Sequence, residues 1–178
     1  MTDQQPPAIV FVEHVLWQPG EEWTLAVQHV ADRFARAHPL DAAAVLAAPT
    51  LTDQLDALAA WAEGSGADLD RELGRWFDEH LSMHLRPNPA VTRAVRAIAA
   101  ERPVHGCSAL PPRVAEAIAR HAGAWRSVAE LHAPVRSTTA LHAVIAASGA
   151  TTVVAGDDQL VDPLPDGAER ASLNSFAG

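Results

Sequence analysis

The chain has 178 residues, 48% of them hydrophobic, and carries 22 acids against 13 bases for a formal charge of -9. That length fits one ordinary domain, or a core with one large insertion, and the acidic balance excludes a nucleic-acid surface, which needs a basic stripe. No apolar run approaches the roughly 20 residues of a membrane span, so neither nucleic acid nor membrane is an expected partner. The start, Met-Thr-Asp-Gln-Gln-Pro-Pro, has no basic segment followed by an apolar one, and is expected not to be a secretion signal. One cysteine, Cys107, excludes an internal disulfide and agrees with a reducing, cytoplasmic setting. Every basic residue other than histidine is Arg; the chain contains no Lys.

In chain order, Ala8 to Val12 is a continuous apolar run after Pro6-Pro7 and predicts a first, buried strand that ends near Glu13 and His14. Pro19-Gly20 breaks the chain. From Glu21 to His38 the residues Trp23, Val27, Val30 and Phe34 keep helical spacing. Asp41 can cap a short helix through Leu46. Thr50 or Thr52 opens another, with Leu51, Leu55, Leu58 and Ala62 on one face, and Gly64-Ser65-Gly66 stops it. Asp68 begins a fourth, with Leu69, Leu73, Trp76, Phe77 and Leu81 inward. Residues 21–85 are thus expected to be a small helical bundle with its own core, in which Trp23, Trp61 and Trp76 are packing residues. His80 and His84, one turn apart, read as surface or packing residues rather than a metal pair, because no third ligand accompanies them.

The pattern changes at Arg86-Pro87-Asn88-Pro89, where Asn88 suits an N-cap and Pro89 a first helical residue. A helix through Val91, Val95 and Ile98 leads to a strand over Pro103 to Ser108. Pro111-Pro112 starts a helix that Gly123 ends, Ser127 to Leu131 reads as a third strand, and Ser137 caps a helix stopped by Gly149. Thr151 to Ala155 is a further strand buried on both faces, and a tail strand is expected around Ala171 to Phe176. Helix and strand alternating after Asn88 predict an α/β fold, a Rossmann-like parallel sheet with crossover helices, into which the helical block is inserted after the first strand. The expected division is a core of residues 1–20 and 86–178 and a helical cap of residues 21–85.

Ligands in open α/β sheets collect beyond the carboxyl ends of the strands. Gly156 ends the Thr151 strand, and Asp157, Asp158 and Asp162 follow, acids that could hold a hard cation through oxygen. Ser108 stands at the corresponding end of the second predicted strand.

This order of parts resembles the haloacid dehalogenase-like (HAD) superfamily of the helical-cap type, over nearly the whole chain. Arg86-Pro87-Asn88-Pro89-Ala90-Val91 looks like the family's return from cap to core. The resemblance implies that Ser108 is the hydroxyl that hydrogen-bonds a phosphoryl group, and that Asp157 and Asp162 are the acids that hold Mg²⁺. The family's first motif, Asp-x-Asp after the first strand, is not met by Phe11-Val12-Glu13-His14-Val15-Leu16-Trp17. Aligned without a gap, Val12 takes the place of the nucleophile and His14 that of the general acid. With one deletion Val12 still replaces the nucleophile and Glu13 the acid; a third register puts Glu13, one methylene longer, at the nucleophile. A displacement of about 1 Å can cost ~100-fold in rate, and a valine cannot act as a covalent nucleophile at all. The family's Lys has no counterpart, and Arg136, before the Ser137 helix, is the nearest stand-in, able to bind phosphate bidentately.

The resemblance therefore implies a HAD-like protein that lacks the Asp nucleophile and serves as a binding or regulatory protein. The alternative is a divergent hydrolase of a small phosphorylated metabolite, using Glu13 or His14. Mg²⁺ is the cofactor the resemblance implies, weakened where a histidine replaces a carboxylate. A small molecule or a protein partner at the cap cleft is the expected occupant, and a homodimer is compatible with it.

Overall fold

The structure, a computed structural model, describes residues 5–156 and 163–176. The first strand, β1 (Ala8–Phe11), is buried along its whole length, as a run with no polar side chain to face water must be. Four helices follow it: α1 (Glu21–Phe34), α2 (Ala42–Leu46), α3 (Leu51–Ser65) and α4 (Leu69–His84). Helix and strand then alternate through α5 (Pro89–Glu101), β2 (Val104–Cys107), α6 (Pro112–His121), β3 (Val128–His132), α7 (Thr138–Ser148), β4 (Thr152–Val154) and β5 (Glu169–Ala171).

Local chemistry sets the helix starts. The side chains of Asp41, Thr50, Asp68, Asn88 and Ser137 accept from the backbone N–H of Ala44, Asp53, Arg71, Ala90 and Ala140 at 3.0–3.1 Å. Each satisfies a donor that the first turn of a helix leaves open. Gly66 and Gly149 close α3 and α7 in the left-handed conformation, at φ 69° and 68°.

All strands pair in parallel, in the order β3-β2-β1-β4-β5. β1 lies between β2 and β4, with Phe11 opposite Cys107 and Val10 opposite Val154. Since the sheet grows outward on both sides of β1, the winding reverses between β1 and β4, and a crevice opens at their carboxyl ends.

Alternate residues of the strands serve two buried clusters. Ile9, Phe11 and Val153 pack with Leu141 and Ile145 of α7. Val10, Val104 and Val154 share a cluster with Val95 and Ile98 of α5 and Val114 and Ile118 of α6. That second cluster continues into the inserted helices through Val27, Leu58, Leu73 and Phe77. A separate core for the helical block was the expectation; the buried apolar surface is instead continuous with that of the sheet. Close approach of α4 to α6 is the reason. A Cβ on Gly74 would lie 2.6 Å from that of Arg113, so only glycine permits the spacing. Asp70 on α4 also accepts from the Arg113 backbone N–H at 2.8 Å, closing the start of α6 from outside. Within the block, Glu72 is buried and meets Arg33 at 2.8 Å and Arg71 at 3.0 Å.

Trp23 and Trp76 are buried, and Trp61 packs edge-on against Phe34 at 5.3 Å. His80 and His84 both stack on Trp76, at 4.8 and 6.0 Å, so they are packing residues as expected. The tail strand falls earlier than its expected place: Glu169–Ala171 pairs with β4, and Leu173–Phe176 is a 3₁₀ turn. An exposed three-residue edge strand carries no alternation by which its register can be read.

Candidate functional site

The chain beyond β1 folds into a tight turn over residues 12–17. The Val12 carbonyl accepts from both Leu16 N–H (2.9 Å) and Trp17 N–H (3.0 Å), and His14 N–H donates to the Trp17 carbonyl at 2.6 Å. His14 takes φ 64°, the only non-glycine residue with positive φ among those described. Such a conformation persists where its surroundings hold it. Trp17 provides the anchor: its indole is 1% exposed, donates to Glu22 at 2.6 Å, and lies edge-on to Trp23 and Phe77.

The turn directs Glu13 inward. Its carboxylate is 1% exposed; one oxygen accepts from the Ser108 hydroxyl at 2.7 Å and the other from the Ala109 N–H at 2.6 Å. A carboxylate taken out of water needs such partners, and charge-assisted bonds of this length are the strong kind. Ser108 is fully buried, and its oxygen also accepts from Leu110 N–H at 3.1 Å. Its backbone is fixed from both sides, by donation to the His132 carbonyl (3.1 Å) and acceptance from Val135 N–H (2.7 Å). Arg136 reaches the same locus: its Nε donates to the Ala109 carbonyl at 3.1 Å, while Nη1 lies 3.6 Å from Asp56 on α3. Glu13, Ser108 and Arg136 are therefore brought together around Ala109, whereas Val12 is packed in the apolar core and carries no chemistry.

His14 stands on the other side of the turn. A Cβ on Gly156 would fall 2.6 Å from the His14 Cβ and 2.9 Å from its carbonyl oxygen. Only a glycine lets the end of β4 pass so close to β1. His14 and Gly156 then line an open cleft of about 570 Å³ with Gln18, Arg170 and Ser172. The Arg170 guanidinium donates to the Gly156 carbonyl across it. A second cleft of about 340 Å³ runs from His14 and Gln18 to Trp23, Leu46, Leu51 and Gln54 of the inserted helices. Asp157, Asp158 and Asp162 lie outside the described residues.

The described residues do not make a Mg²⁺ site. At the end of β1 they offer one carboxylate, Glu13, with both oxygens already accepting hydrogen bonds, and one imidazole. Mg²⁺ demands an octahedron of oxygens, and an imidazole nitrogen is a poor substitute. Three contributors were not foreseen from the sequence: the Ala109 N–H, the Trp17 anchor, and Arg170 from the edge strand. The pair Ser108-Ala109 at the end of a predicted strand is the signal that could have exposed the first; the other two depend on long-range packing.

Comparison with solved structures places the fold in a known class. The chain is similar to a haloacid dehalogenase-like family hydrolase from Streptococcus pneumoniae, at 9% identity and a TM-score of 0.50, covering 87% of this chain and 77% of that one. It is similar also to a haloacid dehalogenase-like family hydrolase from Xanthomonas campestris, at 12% identity and a TM-score of 0.50, over 97% and 80% of the two chains. No family model and no curated protein matches it by sequence. The chain has the α/β fold of the HAD-like hydrolases, the fold expected from the order of its parts. Among the described residues no helix is long and apolar enough to cross a membrane.

Proposed function

We propose that this chain is a HAD-like protein without phosphotransfer activity, acting as a binding or regulatory protein through the clefts on either side of His14. One observation carries it: the Glu13 carboxylate already occupies the donors, Ser108 hydroxyl and Ala109 N–H, that the fold would offer to a phosphoryl group. A buried carboxyl group whose two oxygens already take both donors leaves neither of them for an external phosphoryl group. Arg136 is engaged by Ala109 and Asp56 and would have to leave them to neutralise a substrate. The division into a core of residues 1–20 and 86–178 and a helical cap of 21–85 belongs to this proposal. So does the occupant, a small molecule or a protein partner seated between the His14 turn and the helices.

The alternative, a divergent hydrolase, draws support from the same contact, because it sets a carboxylate beside Ser108 at the end of β1. The extra methylene and the two engaged oxygens weigh against it, since a nucleophile must be free to align on phosphorus. A Mg²⁺-dependent phosphatase assay with a generic phosphate ester separates the two. The wild-type chain should show no turnover above background. Robust turnover abolished by Glu13→Gln would establish the hydrolase.

A further inference from the structure

The face of the sheet covered by α7 carries an apolar cluster built on β1, β4 and Cys107 of β2. Toward β3 that cluster ends, and three polar side chains gather: His105 on β2, and Glu130 and His132 on β3. A register shift between Val104 and His105 sets His105 opposite Glu130, and His132 follows two residues on, on the same face. The ligand atoms lie close together. His105 Nδ1 is 3.1 Å from His132 Nε2, and Glu130 Oε2 is 3.7 Å from the first and 3.8 Å from the second. Both imidazoles are largely buried, at 13% and 19% side-chain exposure, whereas Glu130 reaches in from solvent at 61%.

We propose that His105, Glu130 and His132 form a binding site for a divalent transition-metal ion, with Zn²⁺ the best match. For bonds of 2.0–2.2 Å to nitrogen and oxygen, tetrahedral ligands sit roughly 3.3 Å apart, close to the three separations here. Two imidazoles and one carboxylate favour Zn²⁺, Co²⁺ or Ni²⁺ over Mg²⁺ or Ca²⁺. In the metal-free protein the two rings, inclined by only 11°, share a proton in an N–H···N hydrogen bond. On binding the ion, the donating ring shifts its proton through solvent to its own other nitrogen, so both rings stay neutral and both facing nitrogens offer lone pairs. Small ring rotations turn both lone pairs onto the metal, and the fourth position stays open to water. Burial and the adjacent His132 push the His105 imidazole below its ordinary pKa, with Glu130 opposing; the neutral ring is the form a metal takes. The ion would pin edge strand β3 to β2, and the His132 carbonyl already holds Ser108. This site is separate from the HAD-like reading above and stands whether or not that reading holds.

Calorimetric titration of the full chain with Zn²⁺, and absorption titration with Co²⁺, test it. Expected are one equivalent bound at micromolar concentration and the visible bands of tetrahedral cobalt. A His105→Gln/His132→Gln variant with unchanged circular dichroism should lose both. Should that pair fail to fold, the exposed Glu130→Gln alone should weaken binding by roughly tenfold or more. Absence of stoichiometric binding in the wild type, or equal binding by the variants through the other histidines, would overturn the proposal.

Discussion

Trp17→Ala should lower the free energy of unfolding by about 3–5 kcal/mol, the range for deleting a buried large aromatic side chain. The indole is 1% exposed and makes edge contacts of 6.5 Å with Trp23 and 5.9 Å with Phe77. Its removal also strands the buried Glu22 carboxylate, which accepts from the indole N–H at 2.6 Å. Against a total stability of roughly 5–15 kcal/mol, such a loss leaves a marginal fold. Denaturant unfolding followed by circular dichroism measures it. A loss below about 1 kcal/mol would mean that Trp17 does not tie the turn after β1 to α1 and α4.

Glu13→Ala should cost about 2–3 kcal/mol, because it leaves the Ala109 N–H and the Ser108 hydroxyl without their buried acceptor. The penalty is smaller than the sum of two charge-assisted bonds, since the desolvation cost of the carboxylate disappears with it. Glu13→Gln should be milder, near about 1 kcal/mol. Its amide oxygen still serves Ala109, and the Ser108 hydroxyl can turn to accept from the amide nitrogen. The order Ala worse than Gln is the test, read from the midpoints of urea unfolding. Equal or reversed costs would mean that Glu13 is not the buried acceptor for these two donors.

The parts of the fold governed by neighbours in sequence were legible in it. Asp41, Thr50, Asp68, Asn88 and Ser137 cap their helices because a side-chain oxygen needs to reach only two or three residues along the chain. The β-branched and apolar runs at Ala8 and Thr152 announced buried parallel strands, and these pair with each other. The site was legible only in its membership. Ser108, Arg136 and Glu13 were each named, but the contact between Glu13 and Ser108 joins residues 95 apart. It depends on a turn whose left-handed residue, His14, is not one that sequence marks. The three first-motif registers differ in which side chain would face the site, and that direction is set by long-range packing rather than by neighbours in sequence. The cluster of His105, Glu130 and His132 was missed because a register shift between strands has no local signature.

Calorimetric titration with inorganic phosphate, of the wild-type chain beside Glu13→Ala, tests most directly whether the chain's own carboxylate fills its anion site. The wild type should bind no phosphate at millimolar concentration. The variant, shown to be folded, should bind it, and should lose that binding again when Ser108→Ala is added. Phosphate bound by the wild type, and no more tightly by Glu13→Ala, would contradict the occupation of that site by Glu13.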